Sequence, residues 1–191
     1  TVQSESEGCG GLLFGSGFPV SGNFVVTNAH VVAGTRNHRV QTNGGRKVVA
    51  TVVWFDPRRD LALLRAPGLG LRPLTLGDAQ PPTPGAVIGY PGGGREQVVG
   101  AQVVSRTLAR GRDIYSRSLV TRQIYILRAT VRKGDSGGPV VDRAGRALGV
   151  VFAASTVDGQ EGFALTNVEL RAALSAAGGR TAPAATGACA A

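Results

Sequence analysis

Gly134-Asp135-Ser136-Gly137-Gly138-Pro139 (GDSGGP) decides how this chain is read. A serine between small residues on a tight turn is what an acylated nucleophile needs. The glycines leave room for a substrate carbonyl and let backbone N–H groups converge on one point. The same string fits Gly-x-Ser-x-Gly, the nucleophile elbow of the α/β-hydrolases, so alone it supports two folds. Chain order separates them. In the elbow folds the histidine follows the serine. Here the two histidines, His30 and His38, both precede Ser136. With a histidine base, the order His, Asp, Ser remains.

The 191 residues can bury a sizeable core, as one compact unit or as two small subdomains sharing an interface. The 29 glycines and 10 prolines, spread throughout, point to turns and short strands rather than long helices. No apolar run approaches the roughly 18 residues of a membrane-spanning helix. Nor does Thr1 open a signal peptide, so the sequence reads as the mature or excised part of something longer.

Cys9 and Cys189 stand near the two ends. Two lone cysteines are too few for a tetrahedral zinc site without histidines nearby, and no metal or cofactor is expected. A disulfide joining the ends is the better reading than two free thiols. In the chain-entropy model such a loop contributes on the order of 5 kcal/mol before strain. It implies an oxidising compartment, secreted or periplasmic. The triple glycine Gly92–Gly94 lacks the Gly-Lys-Ser/Thr ending of a phosphate-binding loop and reads as a flexible loop near the cleft.

The formal charge is +9, and the stretch from Arg106 to Lys133 holds eight basic residues against one acid, Asp113. An anionic envelope surface or an acidic substrate would match it, although a solvated arginine-rich surface accounts for it more simply. Nucleic-acid binding would prefer interleaved aromatics, and only Tyr115 and Tyr125 lie there; no nucleic-acid partner is expected.

Short apolar segments predict strands at Leu12–Phe18, Asn23–Asn28, Lys47–Phe55 and Leu61–Leu64, with a tight hairpin at Pro19–Gly22. A second set follows at Ala86–Tyr90, Gln97–Thr107, Val120–Ala129, Pro139–Val141, Ala147–Ala154 and Gly162–Leu165. Between the sets, Gly77–Gly85 reads as a linker whose three prolines keep it out of a sheet interior. Thr166-Asn167-Val168-Glu169 matches a capping box. It would open a helix with Val168, Leu170 and Leu174 as its apolar face and Gly178-Gly179 as its stop. Residues 1–8 are polar and read as a flexible lead. The organisation expected is a β-rich unit over 9–80, a second over 81–165, and a helix with a disulfide-anchored tail over 166–191.

Three motifs now carry a resemblance. Thr27-Asn28-Ala29-His30-Val31-Val32, Asp60-Leu61-Ala62-Leu63-Leu64 and GDSGGP resemble, in order, the histidine, aspartate and serine motifs of chymotrypsin-like serine proteases. Gly89-Tyr90-Pro91-Gly92-Gly93-Gly94, Asp113-Ile114-Tyr115, Gly187-Ala188-Cys189 and the paired end cysteines are similar to the periplasmic protease domains of membrane-anchored acid-resistance proteases of mycobacteria. The resemblance implies an all-β fold of two six-stranded antiparallel β-barrels with a C-terminal α-helix. It implies a serine endopeptidase outside the cytoplasm, a monomeric domain tethered to the membrane by an upstream region and acting on proteins or peptides. Envelope or acid-stress protein processing is the role it suggests.

By the same resemblance His30 is the general base and then acid, Asp60 orients it, and Ser136 attacks. The amides of Gly134 and Ser136 would hold the oxyanion. Asp56 competes with Asp60 on type but precedes Pro57 in a turn, whereas Asp60 opens an apolar strand. His38, in a turn-rich stretch, reads as a surface residue. Thr130 would lie at the base of the primary specificity pocket, Ala154 and Gly162 on its walls, and Phe152-Ala153-Ala154 would pair with substrate backbone. Without an acid at Thr130, a small to medium neutral side chain is the expected preference. Relatives activated by processing pair the residue before the serine with a new Ile-Val-Gly-Gly amino terminus, which this sequence lacks. Asp135 is therefore expected to pair with Arg132 or Lys133, or to serve the turn alone. Two other readings compete: a catalytically silent protease-fold module that binds anionic envelope components or partner proteins, and a general esterase.

Overall fold

The computed structural model describes residues 1–6 and 9–191. Among the described residues, eight strands make up the first half: β1 (Val2–Ser6), β2 (Gly11–Gly15), β3 (Phe18–Ser21), β4 (Phe24–Thr27), β5 (Arg36–Gln41), β6 (Lys47–Val49), β7 (Thr51–Asp56) and β8 (Leu61–Arg65). A one-turn helix, α1 (Ala29–Val32), follows β4. The second half holds β9 (Thr83–Gly89), β10 (Gln97–Arg112), β11 (Leu119–Arg128), β12 (Pro139–Asp142), β13 (Ala147–Ala154) and β14 (Glu161–Thr166), then the helix α2 (Asn167–Ala177).

The second half is the six-stranded antiparallel barrel expected, closed in the order β10-β11-β14-β13-β12-β9. The first half departs from six strands in one barrel. It forms two four-stranded sheets, β2-β1-β5-β6 and β3-β4-β8-β7. The chain changes sheet three times, once through α1 between β4 and β5 and twice at bends, as strands at the corners of packed sheets do. At the first, Ser16 leaves the ladder because its amide donates to Ser136 O (2.7 Å) and its carbonyl accepts the Thr27 hydroxyl (2.7 Å). At the second, the Ala50 amide turns back to His38 O (2.9 Å) between β6 and β7.

Three sequence expectations are corrected. Residues 2–6 are not a flexible lead but a strand between β2 and β5, with Val2 and Ser4 fully buried and Glu5 paired to Arg39 (3.1 Å); residues 7 and 8 lie outside the described residues. The burial alternates with the two-residue period of a strand, but Val2 is its only β-branched residue. Pro84 joins β9 rather than a linker. It sits opposite Gln102 of β10, while β12 reaches only as far as Gly85 on the other side, so its missing N–H interrupts no ladder. Thr166 does cap α2, yet no capping box forms. The Thr166 hydroxyl donates to Gln123 Oε1 (3.0 Å) and Glu169 accepts the Gln123 amide (2.9 Å). The cause is local: β14 leaves β11 at Leu165, so the next amide on β11 needs another acceptor.

The α2 helix buries Leu170, Ala173 and Ala177 and leaves Val168 52% exposed; Gly178, at φ +55°, ends it in the left-handed region that favours glycine. Its buried stripe packs with Trp54, Leu61 and Leu63 of the first half and Ile124, Val150 and Leu165 of the barrel. One core thus joins both halves. After α2 the chain runs back over the first half, with bonds from Ala184 N to Val52 O (2.8 Å) and from Gly34 N to Thr186 O (3.1 Å). It ends at the disulfide Cys9–Cys189, whose Cα atoms lie 5.5 Å apart.

Candidate active site

The histidine motif lies on α1, directly after β4, and the aspartate on the turn that opens β8, the strand next to β4. This adjacency brings the two side chains together. His30 Nδ1 lies 2.8 Å from Asp60 Oδ2 and 3.1 Å from Oδ1, and the His30 amide also donates to Oδ1 (3.0 Å). Asp60 is 4% exposed and holds φ +59°, a conformation rarely taken by a residue with a side chain. The buried Asn28 amide group holds it there by donating to Asp60 O (2.8 Å). Burial disfavours the imidazolium of His30, but the charge and hydrogen bond of Asp60 outweigh it, with Arg122 opposing; His30 titrates above the ordinary histidine range.

The serine turn docks against the bend at residue 16. A Cβ at Gly15 would stand 2.6 Å from Val31 of α1 and 3.2 Å from Ser136 O, so the absence of a side chain there lets α1 and the serine turn approach the bend. Among the described residues the amides of Asp135, Gly137 and Gly138 donate to Arg132 O, Val151 O and Asp135 O, at 3.0, 2.8 and 2.9 Å. The amides of Gly134 and Ser136 have no acceptor among the described residues. Two free N–H donors thus flank Asp135. The Lys133–Gly134 peptide is held in that orientation from behind, because Lys133 O accepts the Gly92 amide (3.0 Å). Gly134 has φ +104°, and a Cβ there would stand 2.6 Å from Gly92 N and Tyr90 O.

Ser16 was not among the residues legible in the sequence. Its hydroxyl donates to Gly134 O (2.7 Å) and accepts the Tyr90 amide (2.9 Å), in addition to the two backbone bonds above. One buried side chain from the first half therefore holds both the serine turn and the Gly89–Gly94 loop of the second. The flanking Gly15 and Gly17 are the only trace of this in the sequence. Asp135, 2% exposed, does not find the cation expected: its Oδ2 accepts the Arg132 backbone amide (2.8 Å), while the Arg132 guanidinium donates to Gln97 (2.9 Å). Burial pushes the Asp135 carboxyl up, against the Arg132 amide and charge.

Thr130 is exposed and lines a cavity of about 200 Å³ with Val99, Gly100, Arg128, Ala129 and Gln160. Gly162 faces Val131 instead, whose Cγ2 would lie 2.5 Å from a Cβ at that glycine. Phe152, Ala153 and Ala154 continue β13 beyond Val151, where its last bonds to the serine turn are made, so this segment has no strand on that edge among the described residues. His38 is not at the surface: it is 9% exposed, on β5, with Nε2 3.0 Å from Thr35 Oγ1. No cluster of three metal-ligating side chains occurs among the described residues.

A family model described as trypsin-like peptidase domain matches residues 15–150, which hold all three motifs. The chain belongs to the trypsin-like peptidase family. Serine protease Rv3671c of Mycobacterium tuberculosis H37Rv is 43% identical over 192 residues, covering 98% of this chain and 48% of that protein. The crystal structure of the active form of the Rv3671c protease superposes with a TM-score of 0.96 at 42% identity, covering 100% of this chain and 84% of that one. A probable periplasmic serine endoprotease, DegP-like, of Halomonas elongata is 34% identical over 142 residues, covering 71% of this chain and 28% of that protein. This trypsin-like peptidase chain thus spans about half the length of its mycobacterial relative. No helix among its described residues is long and apolar enough to cross a membrane.

Proposed function

We propose that this domain is a serine endopeptidase acting outside the cytoplasm, with Ser136 as nucleophile, His30 as general base and then acid, and Asp60 as the group that orients the imidazole. The observations that carry the reading are the pairing of His30 Nδ1 with the buried Asp60 and a serine turn whose Gly134 and Ser136 amides have no acceptor among the described residues. Asp60 accepts the hydrogen bond of the Nδ1–H, which fixes the tautomer and leaves the Nε2 lone pair to receive the proton of Ser136. Attack on a peptide carbonyl puts charge on its oxygen, and the two free amides are the donors for it. The imidazolium then protonates the leaving amine, and water resolves the acyl-enzyme by the same route.

Proteins or peptides are the substrates, laid along Phe152-Ala153-Ala154 as an added strand. The neutral Thr130 and the small residues Ala154 and Gly162, the latter with Val131 against it, support a small to medium neutral side chain at the cleaved position. The disulfide and the periplasmic naming of a relative support work in the envelope. There we place a monomeric domain, tethered from upstream, in protein processing during acid stress, with no nucleic-acid partner. The raised titration of His30 puts its working range at the upper edge of an acidified compartment. Oxidised protein should label at Ser136 with a fluorophosphonate and cleave peptides, Ser136→Ala should do neither, and kcat/KM should fall below a midpoint higher than about 6.5. Absence of labelling across the pH range would refute the reading. Ester turnover with no peptide cleavage would make it an esterase.

A further inference from the structure

We propose that Arg122 of β11, outside the triad, is a positioning residue: it braces the turn that presents Asp60 and supplies the positive charge against which His30 takes up its proton. The inference rests on the serine-peptidase reading above. Arg122 is 9% exposed, a burial at which a guanidinium is ordinarily matched by a carboxylate. Among the described residues it has no carboxylate partner within ion-pair distance. Its bonds go to carbonyls instead: Nε donates to Arg58 O (2.7 Å) and Nη2 to Arg112 O (3.3 Å).

Arg58 lies two residues before Asp60, within the turn that must hold Asp60 at φ +59°. Asn28 secures that turn at the Asp60 carbonyl from α1's side, and Arg122 secures it from the barrel. The aspartate is thus held by both halves of the molecule. A hydrophobic residue of similar volume would fill the space but leave the Arg58 and Arg112 carbonyls without these donors.

The charge has a direction too. Arg122 lines a cavity of about 260 Å³ together with His30, Asp60, Arg112, Asp113 and Ser116. Four acids surround it: Asp60 and Asp56 from the first half, Asp113 from the β10–β11 turn, and Glu169 from α2. Arg59 already pairs with Asp56 (2.8 Å) and Glu169 (3.4 Å). Asp113 accepts the amides of Tyr115, Arg117 and Ser118 (3.1, 2.9 and 3.2 Å). The nearby Arg58 and Arg112 supply only carbonyls to this guanidinium. Of the four acids Asp60 acts on it most, and Asp60 is itself paired with His30 (2.8 Å). Arg122 works against protonation of that histidine, partly offsetting the pull of Asp60.

Arg122→Lys keeps the charge and loses the fork that reaches two carbonyls; Arg122→Gln loses both. In kcat/KM–pH profiles the Gln variant should move the acid midpoint up by about 0.5–1 unit, and the Lys variant should keep it. Both should lower the plateau by roughly 10-fold through kcat with KM little changed, since the turn is loosened before the chemistry rather than the substrate site. An unmoved midpoint in the Gln variant overturns the electrostatic part, and a wild-type plateau in the Lys variant overturns the brace. If Arg122→Gln fails to fold, Arg122→Met reads the midpoint in its place, and the Lys plateau still decides the brace. NMR titration of the two histidine rings in Ser136→Ala protein, with and without Arg122→Gln, reads the midpoint without activity. Failure of the inference is thereby distinguishable from failure of the protease reading.

Discussion

At Ser16 a single hydroxyl serves the turn that carries Ser136 and its two free amides. Replacing it with alanine leaves the Gly134 carbonyl and the Tyr90 amide unpaired in a buried place, which costs about 1–3 kcal/mol of stability. The larger effect should fall on chemistry. Ser16→Ala is expected to lower kcat by about 10- to 100-fold with KM changed less than about 3-fold, because the oxyanion donors lose their backing. A kcat within about 2-fold of wild type would show that the backbone bonds of residue 16 suffice. The three side chains proposed for catalysis, His30, Asp60 and Ser136, could be singled out in the sequence because each sits in a motif with its own local chemistry. Ser16 was not, since its hydroxyl acts on a residue 118 positions away, and local patterning carries no record of such a contact.

At the scale of elements, β5 holds the clearest pH liability. The Thr35 hydroxyl donates its own proton to Val32 O (2.7 Å), so it can only accept from His38, which therefore carries its proton on Nε2. Burial, opposed by Val32, holds His38 below the ordinary histidine range, so the fold prefers the neutral ring. Its contribution to stability is full above about pH 6.5 and is lost as pH falls toward the lowered native value. His30, raised, acts with the opposite sign and contributes below that range. His38→Gln, which keeps a donor for Thr35, should flatten the fall of Tm between about pH 6.5 and 5 relative to wild type. Parallel curves would remove His38 as a cause. Strand positions were largely legible from apolar runs and turn residues. Strand partners were less so: Pro84 and the Thr166–Glu169 pattern carry local signals that neighbouring strands override.

For the whole molecule, the shared core and the returning tail make the two halves one object. The tail is held by a few backbone bonds and by one covalent link, so that link should matter in proportion. Reduction, or Cys9→Ser with Cys189→Ser, is expected to lower Tm by roughly 5–15 °C, the chain-entropy value of about 5 kcal/mol being an upper bound. Activity should fall with it at temperatures near the new midpoint. Equal Tm and equal activity in both redox states would show that the core alone suffices. The double-β plan was legible from three motifs in order. The division of the first half into two sheets was not, because it follows from bends at Ser16 and Ala50 whose cause is tertiary.

The bond between Cys9 and Cys189 has a topological side as well. It closes the chain across 180 positions of sequence, so nearly the whole polypeptide is a ring. A cut anywhere on that ring opens it without dividing it. The exposed tip around Val157, 96% accessible, lies on that ring and is open to a protease. A nick there would leave the barrel, both sheets and His30, Asp60 and Ser136 in one covalent piece.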